Sequence, residues 1–268
     1  MKKFLLLTAA TLSAALCHAD YRALVFQNGK PVSQTKVQNI SKIALANKNY
    51  VQTSEDGNKS FAIGSIDSLV FVKDTVHIKY DGGNVVVNNP LASAGLNIIE
   101  GEGIVQVLPD TSVFDLKDVV FVLSGNGTGG FRMKQSKRVN LVLDNLQLAG
   151  VMGSPIAMTG DKGVSIKLVG SNILSVKNAI DSIPNAALVV NDKLTIEGLG
   201  DLTLSGDYKN GIEVKDDLVI NEASILVSAK KTGVRVKDNL VLNSGSLAVS
   251  ANGDGVDVND TIFVNGGK

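Results

Sequence analysis

Tryptophan is absent from this 268-residue chain, and all aromatics together make up 4% of it. Ordinary globular cores lean on large rings, so their scarcity points to a narrow interior filled by stacked aliphatic side chains. Cysteine occurs once, at Cys17, and histidine twice, at His18 and His77. Disulfide frameworks, Cys–His pairs, Ser–His–Asp triads and His-rich zinc sites therefore lack their residues or have a single candidate. His77 alternates with apolar neighbours in TVHIKY and reads as a half-exposed strand residue rather than a ligand. Charge of one sign is missing too, since 26 Lys and Arg stand against 26 Asp and Glu with no polybasic run. Nucleic acid is accordingly not an expected partner.

Long hydrophobic runs are confined to the start. Residues 1–19, MKKFLLLTAATLSAALCHA, combine two lysines, an apolar stretch from Phe4 to Leu16 and a small-residue end. That pattern reads as a secretory signal peptide, too short for a membrane span. Cleavage after Ala19 removes Lys2 and Lys3 and leaves 24 basic against 26 acidic residues. The expected location is outside the cytoplasm: extracellular, cell-surface or periplasmic. Lipoprotein anchoring through Cys17 is the weaker alternative, because bulky Leu16 would directly precede the modified cysteine.

What the sequence does have is a repeat. GIEVKDDLVINEASILVSAKKT (211–232) lies in register over GVRVKDNLVLNSGSLAVSANGD (233–254), and GVDVNDTIFVNGGK (255–268) begins a third copy. The columns Ile212/Val234/Val256, Val214/Val236/Val258, Leu218/Leu240/Ile262, Ile220/Leu242/Val264, Ile225/Leu247 and Val227/Val249 are apolar and spaced by two within each short run. Period two means strands, and breaks at Asn, Asp, Gly and Ser leave about three short strands and three corners per copy. One such coil cannot bury its own apolar face, so neighbours must stack on it. The expected fold is all-β: a right-handed, single-stranded parallel β-helix, a solenoid whose coils lie about 4.8 Å apart. The segment 187–210 joins the register after two inserted residues, with Leu188, Val190, Leu194 and Ile196 matching Ile212, Val214, Leu218 and Ile220.

Upstream the period fades. Residues 20–74 read as a small β-rich N-terminal module, with strand candidates at 21–26, 41–53 and 59–72. Residues 75–118 read as an irregular β region that starts the solenoid, and 119–268 as the β-helix itself. Within it, 119–150 reads as a first coil and 154–182 as a longer second one, giving about five full coils and part of another. TIFVNGGK ends part-way round a coil with nothing to cover the last rung, so the sequence is expected to be a fragment of a longer chain, the alternative being cover by a second copy.

Three outward features carry chemistry. Asp192, Asp216, Asp238 and Asp260 follow the same strand in successive coils, with Asp217 beside them. Like charges stacked this closely repel, so either a cation neutralises them, Ca²⁺ being suited to carboxylates and corner carbonyls, or each Asp bonds its own corner backbone with Lys193, Lys215 and Lys237 balancing charge. NGDGVDVND places Asp254 and Asp257 at the opposite corner but lacks the spacing and terminal Glu of a helix–loop–helix calcium loop. Between these corners Glu213, Arg235 and Asp257 alternate in sign, flanked by Lys215, Lys237 and Asn259. They are solvated surface pairs or a flat face for an extended polyanion, whose carboxylates Arg and Lys would meet. SGNGTGG (124–130) lacks the Gly-Lys-Ser/Thr and following helix of a phosphate loop.

The segments RVNLVLDNLQLAG (138–150), PNAALVVNDKLTIEGLGDLTLSGDYKNGIEVKDDLVI (184–220), GVRVKDNLVLNSGSLAVSANGDGVDV (233–258) and FVNGG (263–267) resemble secreted bacterial carbohydrate-binding proteins typified by a clostridial polygalacturonate-binding protein of pectate-lyase-like fold. The resemblance implies binding of an acidic polysaccharide such as polygalacturonate, without catalysis and with calcium in the structure. On the outward charge ladder Glu213, Lys215, Arg235 and Lys237 are the expected glycan contacts. Asn210, Asp216, Asp217, Asp238, Asp254, Asp257 and Asp260 are the expected calcium set, although Thr232 stands where relatives often carry an acidic or amide residue. The N-terminal 100 residues more loosely resemble modules of secreted Bacteroidota proteins. Two other functions remain open at this point. One is a calcium-dependent lyase, with Arg235, Lys215 or Lys237 as its base; the other is an adhesin or scaffold using the solenoid as a spacer. With so few aromatics, no platform for sugar rings is obvious.

Overall fold

The computed structural model describes residues 21–109, 119–177 and 186–268. The expected signal peptide, with Cys17 and His18, lies outside the described residues, as do parts of the 75–118 region and of the 154–182 coil. The chain forms two compact units. One comprises its residues up to Thr75 together with 90–95, and the other holds the remainder of the described chain.

The N-terminal unit contains two three-stranded antiparallel sheets. In one, Tyr21–Gln27 pairs with both Lys30–Lys36 and Ser68–Lys73; in the other, Asn49–Ser54 lies between Ile40–Ala46 and Gly57–Ala62. Its strands are shorter than the sequence suggests. The stretch 41–53 folds into a hairpin because Asn47 and Lys48 both take positive φ, the two-residue turn that suits strand twist. A 3₁₀ turn at Ile63–Ser65 likewise divides 59–72. Arg22 and Asp74 are buried here as an ion pair at 2.8 Å, and Arg22 also donates to Gln34.

The second unit is a parallel β-solenoid of about six turns. Each turn has three faces. The first is built from Ile156–Met158, Leu188–Val190, Ile212–Val214, Val234–Val236 and Val256–Val258, each strand paired in parallel with the next. Val164–Val169, Leu194–Glu197, Leu218–Asn221, Leu240–Leu242 and Ile262–Val264 make the second face. The third runs through Ser171–Val176, Asp201–Gly206, Ser224–Ala229 and Ser246–Ala251. Inward columns such as Leu188/Ile212/Val234 and Leu194/Leu218/Leu240 are buried, and each aliphatic stacks on its equivalents above and below.

The start of the solenoid departs from the expectation. Residues 119–150 are not one coil. Val120–Met133 runs round all three faces as a first rung, and Val139–Gly150 lies over it in parallel from Val120↔Asn140 to Gly129↔Gly150. Two antiparallel hairpins, Thr75–Gly82 with Asn84–Asn88 and Leu96–Gly101 with Ile104–Pro109, precede this rung, and Ile104–Val107 pairs with its end. The glycine-rich stretch belongs to that junction. Gly125 takes φ +89°, and a Cβ there would collide with the Tyr80 carbonyl, so glycine lets the hairpin backbone pack onto the rung.

Candidate functional site

The first face carries the site. Because side chains alternate along a strand, the middle residue of each three-residue strand points away from the core, and in all but Val256–Val258 it stands between two buried neighbours. Strand register then stacks Arg132, Ala157, Val189, Glu213, Arg235 and Asp257 into one row. Ala157 and Val189 are buried with Ala186 as a small apolar cluster, so the polar surface of the row lies at Glu213, Arg235 and Asp257. Glycine before two of these strands, at Gly211 and Gly233, is a packing requirement. A Cβ on Gly211 would meet the Val227 side chain and lie 2.7 Å from the Gly233 carbonyl oxygen, which allows the corner to close against the next coil.

All four expected glycan contacts come together. Glu213, Lys215, Arg235 and Lys237, with Val214, Val236 and Asn259, line a groove of about 290 Å³. Lys215 Nζ lies 2.6 Å from Glu213 Oε1, and Arg235 Nε lies 3.4 Å from Asp257 Oδ2. Burial pushes the Glu213 carboxyl up. Donation and charge from Lys215, the amide of Asn210 and the charge of Lys209 outweigh it, and the group ends below its ordinary range. Lys237 has no ion pair among the described residues, so cations exceed carboxylates along the groove.

The seven expected calcium ligands do not converge. Among the described residues no three Asp, Glu, His or Cys side chains gather closely enough to hold a metal ion. Asn210 is buried and its oxygen and nitrogen are both engaged: Oδ1 accepts from Thr232 N at 3.4 Å and Nδ2 donates to Glu213 Oε2 at 3.2 Å. It orients the groove carboxylate. Asp216 Oδ1 accepts from Asp217 N at 2.6 Å, as Asp192 Oδ1 does from Lys193 N. Asp217 accepts from Asn239 N and Nδ2 and from Lys193 Nζ, bonds that hold its carboxyl below the usual value. Asp238 and Asp260 stack on Asp216 through backbone bonds, while Asp254 is exposed at the far corner and Asp257 faces Arg235. The donor set therefore forms corner bonds and ion pairs and does not fit a preformed calcium cage.

Arg132 shares the row without having been legible as part of it. Its guanidinium donates to the carbonyls of Phe131, Pro155 and Met152, and burial lowers its pKa from the ordinary arginine value. Unequal coil lengths between 132 and 213 hide the register from the sequence, and only strand pairing restores it.

Comparison with known proteins adds three findings. A family model described as carbohydrate-binding domain-containing protein matches residues 111–268. A carbohydrate-binding domain-containing protein of Acetivibrio thermocellus is 32% identical over 97 residues, covering 33% of this chain and 34% of that protein. The chain thus spans about a third of the length of that relative. The gadolinium derivative of a polysaccharide lyase-like protein from C. thermocellum matches with a TM-score of 0.59 at 23% identity, over 72% of this chain and 80% of that one. At that identity the likeness speaks for the fold alone.

Proposed function

The chain belongs to the family of carbohydrate-binding domain-containing proteins, whose model covers more than half of it, and from that premise we propose that it is a secreted, non-catalytic binder of acidic polysaccharide such as polygalacturonate. One observation carries the proposal: the groove over Glu213, Lys215, Arg235 and Lys237 has more cations than carboxylates, with the cations on two successive coils. A linear polyanion laid along the solenoid axis meets positive groups on the two successive coils that carry Lys215, Arg235 and Lys237, and Arg and Lys offer charge-assisted hydrogen bonds to its carboxylates.

A lyase on this fold would need a base free to take a proton from the sugar ring. Of the three expected bases, Lys215 and Arg235 are instead held as charged donors to Glu213 and Asp257, which favours binding over elimination and leaves Lys237 as the base that a lyase would use. Calcium enters only as an accessory, since its site would have to draw Asp216, Asp238 and Asp260 together around the ion. Affinity electrophoresis of the full chain through gels holding polygalacturonate or neutral glucan tests the main reading. We expect retardation in the acidic gel that weakens with salt and is lost in Lys237→Ala combined with Arg235→Ala. No retardation by any polysaccharide would favour a spacer, and release of unsaturated product would favour a lyase. A melting temperature that rises with calcium and falls with chelator would show that the folded chain binds the ion.

A further inference from the structure

The coil at 187–210, which leads into Glu213, is two residues longer than the one after it, and strand register locates both additions. Ile196 pairs with Ile220, 24 positions on; Asp201 with Ser224, 23 on; Ile212 with Val234, 22 on. One extra residue therefore lies in the corner between Glu197 and Asp201, and the other between Gly206 and Ile212. The first corner exposes Leu199, and the second exposes Tyr208, which is 45% accessible.

The second corner adjoins the groove. Five residues, 207–211, join its two strands, where four, 230–233 and 252–255, serve the following coils. Lys230 N donates to Gly206 O at 3.0 Å and Lys231 N to Lys209 O at 2.7 Å, so the corners stay aligned on either side of Asp207 and Tyr208. The addition falls on those two residues. Two positions further on, Asn210 donates to Glu213, and the charge of Lys209 also acts on that carboxylate. Tyr208 itself has neither a hydrogen-bond partner nor a ring contact among the described residues. Burial in the core does not account for it, and insertions in solenoids characteristically fall on the surface used for binding.

We propose that Tyr208 is a sugar-stacking residue. Its ring takes the C–H face of a pyranose unit of the glycan whose carboxylates meet Lys215, Arg235 and Lys237, an assignment that rests on the acidic-polysaccharide reading above. The electron-rich face of the ring attracts the weakly positive C–H groups of a sugar. The unpartnered hydroxyl is a donor and acceptor for a sugar oxygen.

Three proteins decide the matter: wild type, Tyr208→Ala and Tyr208→Phe, each as the full chain, in electrophoresis against polygalacturonate and neutral glucan. Tyr208→Ala should bind roughly three- to tenfold more weakly with an unchanged melting temperature, and Tyr208→Phe should stay within about twofold of wild type because the ring is kept. With no tryptophan in the chain, and Tyr50 and Tyr80 buried, acrylamide quenching of tyrosine emission reports chiefly on Tyr208 and Tyr21. Glycan should shield wild-type emission from acrylamide and leave Tyr208→Ala unaffected. Tyr208→Ala binding as tightly as wild type overturns the stack while leaving the polyanion groove intact. Retardation of wild type by neutral glucan alone overturns the acidic reading, and the Ala variant then still decides the stack. Retardation by neither polysaccharide overturns both.

Discussion

Glu213 is the residue through which the groove is both held and charged. It accepts from Lys215 at 2.6 Å and from Asn210 at 3.2 Å, and these bonds together with Lys209 keep its pKa below the ordinary 4.5. A carboxyl with a depressed folded pKa stabilises the protein above its unfolded value, and the contribution is lost as pH falls through the folded value. Glu213→Gln should therefore lower the melting temperature at neutral pH and flatten the acid limb of the stability profile below pH 4.5. The same change removes a negative charge from the surface proposed to receive a polyanion. Polygalacturonate retention at low salt should tighten by about twofold to fourfold, as expected for one charge several ångströms away in water. Weaker retention would instead make Glu213 a direct acceptor for sugar hydroxyls. Asn210 shows the limit of reading such residues by type. An amide beside acidic corners reads as an oxygen ligand, yet its nitrogen is committed to Glu213 and its oxygen to the Thr232 backbone.

Stacking makes each element depend on the rung beneath it, and Asn172 shows how much one buried polar group can carry. It stands in an inward column with Leu202 and Ile225 and is wholly buried. Its Oδ1 accepts from Leu146 N at 2.9 Å, and its Nδ2 donates to the carbonyls of Val169 and Asp201 at 3.2 Å each, tying three rungs at one corner. Asn172→Ala leaves the Leu146 N–H without that partner and opens a void, so it should cost about 2–4 kcal/mol in denaturant unfolding. A change below about 0.5 kcal/mol would mean that water replaces the amide. The fold of 187–268 was legible because its inward columns recur at a nearly fixed spacing and its corners are short. The two additional residues of the 187–210 coil were visible as a number but not as places, since only pairing separates the Leu199 corner from the Tyr208 corner. Between 119 and 177 the coils differ in length and single strands bend round several faces, as Val120–Met133 does. Periodicity along the chain then no longer reports periodicity along the axis. That Glu213, Lys215, Arg235 and Lys237 share one face was legible for the same reason as the regular coils, whereas the calcium set came from the stacked Asp column and the motifs of the resemblance, and neither says where a carboxylate spends its hydrogen bonds.

At the scale of the whole molecule, every residue of the groove lies in the solenoid unit, while the most buried ion pair belongs to the N-terminal unit. Arg22 and Asp74 each expose only 5% of their side chains, and their N···O distance is 2.8 Å. Removing one partner from such a pair leaves an uncompensated buried charge, which costs about 3–5 kcal/mol. A small antiparallel unit has little stability to spare. Asp74→Ala should therefore unfold the N-terminal unit at a markedly lower temperature in calorimetry of the full chain. On the proposed function, polygalacturonate should raise the transition of the solenoid unit by an amount that grows with the logarithm of its concentration. The Asp74→Ala chain should show the same rise and the same electrophoretic retardation as wild type. Loss of retardation in Asp74→Ala, with the solenoid transition still present, would make the N-terminal unit part of the binding apparatus and move the glycan site beyond the Glu213 groove.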